Sequence, residues 1–190
     1  MLRPAIKNSL VKNILSKKGL IQKRYFLFFR GDLQQARPLS AGEIILARSV
    51  FGSNIQLDKV QLKTTWWVLK NYAVSPNGNI YFNPADWVVD FSEVAVTKQS
   101  WLIHELTHIW QLQQGLKVVR GALINRRYSY VLIAGKSFFK YGIEQQARMV
   151  QDYFVQQQSG KDCRAFEACI PFLQVPLTAN TQSDNSSLTV

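Results

Sequence analysis

Long apolar runs, cysteines and acidic side chains are all scarce in this sequence. No stretch of eighteen or more consecutive apolar residues occurs, so we expect no transmembrane helix. The two cysteines, Cys163 and Cys169, are too few for a disulfide-rich scaffold. They either pair across a small loop in an oxidising compartment or lie as small buried residues in a reducing one. The 12 acidic residues against 23 basic ones give a formal net charge of +11.

The excess positive charge is concentrated near the start of the sequence. Residues 1–37 hold nine lysines and arginines against a single acid, Asp32. Apolar residues at helical spacing between the lysines indicate a basic amphipathic helix. We expect residues 1–39 to form a basic arm that binds an anionic membrane, a nucleic acid or an acidic partner. The alternative is a solvated helix, packed on the domain, that leaves its lysines exposed.

Histidine is equally scarce, and both histidines fall inside one stretch, His104-Glu105-Leu106-Thr107-His108. Side chains at i and i+4 of a helix lie on the same side about one turn apart, so both imidazoles can reach one metal ion. The intervening Glu105 would lie close enough to take a proton from water bound to that ion. This HExxH pattern is typical of a helical zinc site. The alternative is an amphipathic helix with two hydrogen-bonded histidines and no metal.

The surroundings of the motif favour a helix. Leu102, Leu106 and Ile109 follow helical spacing and should form a buried stripe. Thr97 is the predicted N-cap, and Gly115 is placed to end the helix in a left-handed turn.

A catalytic zinc ion needs a third protein ligand and leaves its fourth position to water. No histidine remains, so the third donor must be a carboxylate or a thiolate, and we predict Glu144. This residue borders an apolar stripe at the N-terminal end of a second helix, which should end at Ser159-Gly160. The stripe consists of Ile143, Ala147, Val150 and Phe154. The alternative is a surface carboxylate paired with Arg148 at i+4.

Two acids that precede the motif helix are candidates for a supporting role. Asp90 and Glu93 could orient an imidazole through its free ring N–H. Asp152, two turns beyond Glu144, is a further candidate for such support.

These residues carry a resemblance to a known family. The string from His104 to Gln111, followed by Glu144-Gln145-Gln146-Ala147, resembles the gluzincin clan of HExxH zinc metallopeptidases. It is also similar to small bacterial zincin-like proteins related to the core domain of contractile injection systems, some of them associated with type VI secretion spike proteins. The resemblance covers about residues 40–160. One departure is Arg148, because gluzincins commonly have an aspartate four residues after the ligand glutamate.

The predicted activity is zinc-dependent hydrolysis of a peptide bond. Zn²⁺ held by His104, His108 and Glu144 would activate water, with Glu105 as base and then acid. Tyr130 and Tyr141 are the candidate donors to the oxyanion. One alternative is a zinc-containing adaptor of a bacterial secretion or injection apparatus that cleaves nothing. Another is a hydrolase that acts on an amide bond in peptidoglycan.

The fold class is predicted to be α+β, a zincin-like minimal metallopeptidase domain with a small sheet packed on the HExxH helix. Residues 40–160 should form this domain, and residues 161–190 a C-terminal segment with a loose polar tail. A capping box, Ser40-Ala41-Gly42-Glu43, opens a helix to about Ser49. Residues 58–74 favour strands, and the turn at 75–78 leads into a strand, Asn79–Phe82. The edge of that strand is predicted to hold an extended peptide, unless the strand is internal.

The first 30 residues lack the uninterrupted apolar core and the cleavage site of a standard signal peptide. We therefore expect synthesis in the cytoplasm, with any delivery outside the cell left to a specialised secretion system.

Overall fold

The computed structural model describes residues 35–118 and 127–174. The predicted basic amphipathic helix and the polar tail from residue 175 lie outside the described residues. Within them the chain is a mixed α+β structure with a four-stranded sheet, which confirms the predicted fold class at this level.

The sheet has the strand order β1-β2-β4-β3. The strands are β1 (Ala36–Pro38), β2 (Gln61–Thr64), β3 (Ala73–Val74) and β4 (Ile80–Phe82). β1 and β2 are antiparallel, β2 and β4 are parallel, and β3 and β4 are antiparallel. The prediction that Asn79–Phe82 offers a free edge is wrong, because β4 lies between β2 and β3. The outer strand beside it is β3.

Alternation along β2 and β4 explains how the sheet packs. Leu62, Ile80 and Phe82 are fully buried, whereas the residues between them are only partly covered. Successive side chains of a strand point to opposite faces, so one face of the sheet lies on the core. β1 comes from residues that the sequence assigns to the basic arm, since Ala36 pairs with Lys63.

Helix α1 (Ala41–Phe51) begins with the predicted capping box. The Ser40 hydroxyl accepts from the Glu43 amide at 3.0 Å, and the Glu43 carboxylate accepts from the Ser40 amide at 2.8 Å. Glu43 is fully buried and also accepts from both terminal nitrogens of Arg37, each at 2.7 Å, and from the Phe91 amide. This carboxylate therefore joins β1, α1 and the segment before the motif helix.

The strand prediction for residues 58–74 is only partly correct. Residues 65–72, between β2 and β3, form an irregular loop in which Asn71 adopts a positive φ of 64°. The predicted turn at 75–78 is present and links β3 to β4, with Gly78 at a φ of 83°. A positive φ favours glycine, which agrees with the turn chemistry.

Helices α2 (Val96–Gln113) and α3 (Ile143–Gln158) make the most extensive contact between elements in the described ranges. Ala147 is fully buried, and its small side chain permits a close approach of the two axes. The predicted buried stripe of α2, from Leu102 to Ile109, is confirmed.

The helix ends are set by local hydrogen bonds. Thr97 is not the N-cap of α2; Ala95 is, because its carbonyl already accepts from the Lys98 and Gln99 amides. Gly115, at a φ of 77°, ends α2 as predicted. Its amide bonds the Leu112 carbonyl while the Leu116 amide reaches Gln111, which is a Schellman motif. The end of α3 at Ser159-Gly160 is also confirmed.

The short helix α4 (Arg164–Glu167) follows α3 and packs on it through Phe166. Cys163 and Cys169 are both free thiols. Burial raises the pKa of each thiol, which suits small packed residues rather than reactive ones. In the described part of the chain, no helix has the length and apolar character needed to cross a membrane.

Candidate metal centre

Two imidazoles and one carboxylate converge where α2 crosses the start of α3. The Nε2 atoms of His104 and His108 each lie 3.4 Å from the Oε2 atom of Glu144. The possible ligand atoms of these three residues all lie within 4.8 Å of one another, and the three side chains are buried. The predicted partnership of Glu144 with the HExxH histidines, 36 residues earlier, is therefore present in the fold. The group can hold a metal ion.

The electrostatics of the three side chains suit a cation between them. Burial alone would raise the pKa of Glu144, but the hydrogen bonds to His104 and His108 outweigh it and hold that pKa well below its usual range. Burial alone would lower the pKa of His108. The hydrogen bond to Glu144 and the negative charges of Glu105 and Glu144 outweigh burial, so the pKa of His108 is raised. A buried carboxylate thus keeps its charge beside two nitrogen donors. Two imidazoles with one carboxylate are a donor set typical of catalytic zinc.

Gln111 braces one of the two imidazoles. Its Oε1 atom lies 2.8 Å from Nδ1 of His108, and its Nε2 atom donates to the Ile143 carbonyl and to Oε1 of Gln146, both at 3.0 Å. Because both amide hydrogens go to acceptors on α3, the oxygen must face His108. His108 then donates its Nδ1–H and leaves Nε2 directed at Glu144.

The bracing residue is not one that the sequence reasoning proposed. Asp90 instead caps a 3-10 turn, accepting from the Ser92 amide at 2.8 Å, and Glu93 is exposed. Gln111 could have been noticed as an amide one turn after His108, on the side of the helix that carries both histidines. For His104, the buried Nδ1 atom has no hydrogen-bond partner among the described residues.

The predicted general base is buried beside the cluster. Glu105 is 4% exposed, and its Oε2 atom accepts from the Ser75 hydroxyl at 2.5 Å. Ser75 directly follows β3, so the sheet edge fixes the orientation of this carboxylate.

The cluster opens into a cavity of about 550 Å³. Helices α2 and α3 contribute His104, Glu105, His108 and Glu144 to its wall. The rest of the described wall is mostly apolar and aromatic: Trp67, Val68, Leu69, Tyr72, Ala73, Val74, Ser75, Pro76, Val118 and Tyr128. Most of these residues belong to the loop between β2 and β3, to β3, and to the turn that follows.

The two tyrosines predicted as oxyanion donors do not reach this cavity. The Tyr130 hydroxyl donates to Oδ2 of Asp152 at 2.8 Å, and burial together with that bond raises the pKa of Tyr130 strongly. The Tyr141 hydroxyl donates to the Val131 carbonyl at 3.0 Å and accepts from the Ile133 amide. Both hydroxyls therefore hold the segment before α3 in place. Among the described residues, the tyrosines that line the cavity are Tyr72 and Tyr128.

The alternative reading of Glu144 is also excluded by the ion pairs. Arg148 pairs with Asp152 at 2.9 Å rather than with Glu144, and Glu144 is only 6% exposed. Asp152 is occupied by Arg148 and Tyr130, so it does not support the metal cluster.

Fold and site together define a small α+β domain whose two packed helices carry a candidate metal centre. No family model matches the chain. The effector domain of Pseudomonas aeruginosa VgrG2b has a similar structure, with a TM-score of 0.61 and 38% sequence identity over 68% of this chain and 79% of that one. The chain belongs to the family of this effector domain.

The type VI secretion system spike protein VgrG2b of Pseudomonas aeruginosa is 39% identical over 138 residues, or 66% of this chain. The match spans only 14% of the length of that spike protein. The predicted link to proteins of type VI secretion spikes is confirmed at the level of homology.

Proposed function

We propose that the protein is a zinc-dependent hydrolase that cleaves peptide bonds. The observation that carries the proposal is the convergence of His104, His108 and Glu144, with the Glu105 carboxylate beside them in one cavity. A structural zinc site is closed by four protein ligands, whereas three donors converge in the described residues and the Glu105 carboxylate is not among them. A hydrolytic site needs that group as a base.

Each side chain has a separate task in this proposal. His104, His108 and Glu144 would hold the zinc ion, which would supply a water of lowered pKa and polarise the scissile carbonyl. Oε2 of Glu105 is held by Ser75, which leaves Oε1 to take the proton and to pass it to the departing amine.

The substrate would lie along β3. This strand is at the edge of the sheet, and both of its residues line the cavity. An extended peptide can add to such an edge through main-chain hydrogen bonds, which would bring a peptide bond past the cluster. The role first assigned to Asn79–Phe82 therefore moves to Ala73–Val74.

The proposed route of delivery is the type VI secretion apparatus. It is supported by the homology to an effector domain of a spike protein of that system. The same homology favours a second candidate function, a zinc-containing adaptor of the apparatus without catalysis.

The substitution Glu105→Gln separates these two candidates. It keeps the size of the side chain and removes the proton acceptor, so zinc should stay bound while hydrolysis falls by about 10²- to 10⁴-fold. Zinc per chain would be measured by elemental analysis, and hydrolysis by mass spectrometry of a peptide mixture. Glu167→Gln, at an exposed position on α4, is the matched control and should behave as the unaltered protein.

The outcomes assign the function. An unaltered protein that binds zinc, cleaves no peptide and binds the secretion apparatus would favour the adaptor. Release of fragments from purified cell wall, with peptides left intact, would favour hydrolysis of peptidoglycan. Full activity in the Glu105→Gln variant would remove Glu105 from the mechanism.

A further inference from the structure

The loop of residues 65–72 is anchored at the rim of the cavity. Three hydrogen bonds tie it to the last residue of β4 and to the segment that follows β4. They run from the Thr65 amide to the Phe82 carbonyl at 2.8 Å, from Nδ2 of Asn83 to the Val68 carbonyl at 2.8 Å, and from the Asn71 amide to Oδ2 of Asp86 at 2.5 Å. The loop is thus anchored along its length by backbone groups.

This anchored loop nevertheless exposes large apolar side chains. Trp67 is 51% exposed, Leu69 70% and Tyr72 58%, and all three line the cavity. Removing this apolar surface from water, by contact with a ligand, would be energetically favourable. A concentrated apolar patch at the mouth of a cavity typically marks a ligand-binding surface.

The charge of the cavity narrows the class of ligand. The chain carries a net charge of +11, yet no lysine or arginine is among the described residues of the cavity wall. The carboxylates there are Glu105 and Glu144. Both belong to the candidate metal centre, so the rest of the described wall offers a charged substrate side chain no ionic partner, and a neutral apolar side chain fits best there.

We infer that the site takes a peptide with a large aliphatic or aromatic side chain next to the cleaved bond, held by Trp67, Leu69 and Tyr72. This inference rests on the proposed peptidase function. The cavity of about 550 Å³ has room for such a side chain and the adjoining backbone. β3 continues directly from Tyr72 and supplies the edge along which that backbone lies.

The test uses the full-length, zinc-loaded protein and synthetic peptides that differ at one position. The varied residue is Phe, Leu, Ala, Asp or Lys in an otherwise constant sequence, and cleavage is located by mass spectrometry. Peptides with Phe or Leu beside the cleaved bond should have a kcat/KM about tenfold or more above that of the Ala peptide. The Asp and Lys peptides should fall below the Ala peptide, because their charged side chains would lose water without gaining a partner.

Substitutions in the loop of residues 65–72 show which side chains produce the preference for apolar residues. Trp67→Ala and Tyr72→Ala should each lower kcat/KM for the Phe peptide by about tenfold and change the Ala peptide little. Trp66→Ala is the matched control, because Trp66 is 63% exposed in the same loop and does not line the cavity. An equal effect of all three substitutions, or cleavage without preference for apolar residues, would overturn the inference.

Binding to the Glu105→Gln variant separates this inference from the proposed activity. Calorimetry should show tighter binding of the Phe peptide than of the Asp peptide, and the added Tyr72→Ala substitution should weaken it. If the variant shows this preference but the unaltered protein cleaves nothing, hydrolysis fails and the apolar site stands. If no peptide binds or is cleaved, both fail.

Discussion

Replacement of Gln111 by leucine tests the bracing of the metal centre. The substitution removes the contact with Nδ1 of His108 and the two bonds from Nε2 to the Ile143 carbonyl and to Gln146. It takes a hydrogen-bond partner from two buried polar atoms, Nδ1 of His108 and Oε1 of Gln146, each loss costing about 1–3 kcal/mol. We expect the free energy of unfolding of the metal-free protein to fall by about 2–4 kcal/mol. We also expect zinc affinity to fall by about 10- to 100-fold, because nothing then fixes the His108 ring.

The two effects are measured separately. Urea denaturation of the metal-free protein gives the stability change, and competition with a chelator gives the zinc affinity. Long-range ¹⁵N–¹H spectra of the zinc-loaded protein should show protonated Nδ1 on His108, and the chain has only one other histidine to assign.

Gln99→Leu is the matched control for this substitution. Gln99 lies near the start of the same helix, and its Nε2 atom donates to the Ser92 and Val94 carbonyls. Its loss should reduce stability and leave zinc affinity unchanged. A folded Gln111→Leu variant with the zinc affinity of the unaltered protein would refute the bracing argument.

Three further substitutions test other parts of the structure. Glu144→Ala should reduce zinc to well below one ion per chain by elemental analysis, whereas Arg148→Ala, four residues on and exposed, should retain it. Ala147→Phe should lower the free energy of unfolding, measured in urea, by about 1–3 kcal/mol, since Ala147 is fully buried on α3; no loss would mean that its surroundings are loosely packed. Glu43→Gln should cost on the order of 3 kcal/mol in the same assay, because Arg37 would lose its buried charge partner, and a neutral result would show that the pair adds nothing to stability.

Local patterns predicted the helical half of the site well. The spacing of His104 and His108 and the apolar stripe around Glu144 are properties of single helices, and both helices form within a few residues of the expected ends. The capping box at Ser40 was equally predictable, since its two residues lie three positions apart in the sequence. The N-cap of α2 was misplaced because Ala95 caps through its backbone alone, without a side-chain signal.

Features that depend on distant pairing were not predictable in this way. The parallel pairing of β2 with β4 puts Asn79–Phe82 inside the sheet, and no local sequence pattern indicates this strand order. The apolar residues of 65–72 suggested a strand, but four of them line the cavity from a loop: Trp67, Val68, Leu69 and Tyr72. Tyr130 and Tyr141 are close in sequence to Glu144, yet their hydroxyls bond Asp152 and the Val131 carbonyl, and neither tyrosine lines the cavity.

The Ser75 hydroxyl ties the edge of the sheet to Glu105, the proposed proton acceptor. A peptide that binds along Ala73–Val74 and shifts that backbone would also move the Glu105 carboxylate. Binding of the substrate and orientation of the proposed base are therefore coupled. A peptide that bound tightly to β3 and pulled this strand away from α2 would therefore inhibit the proposed hydrolysis without touching the imidazoles, because it would displace the Glu105 carboxylate. Such an inhibitor would leave the bound ion in place.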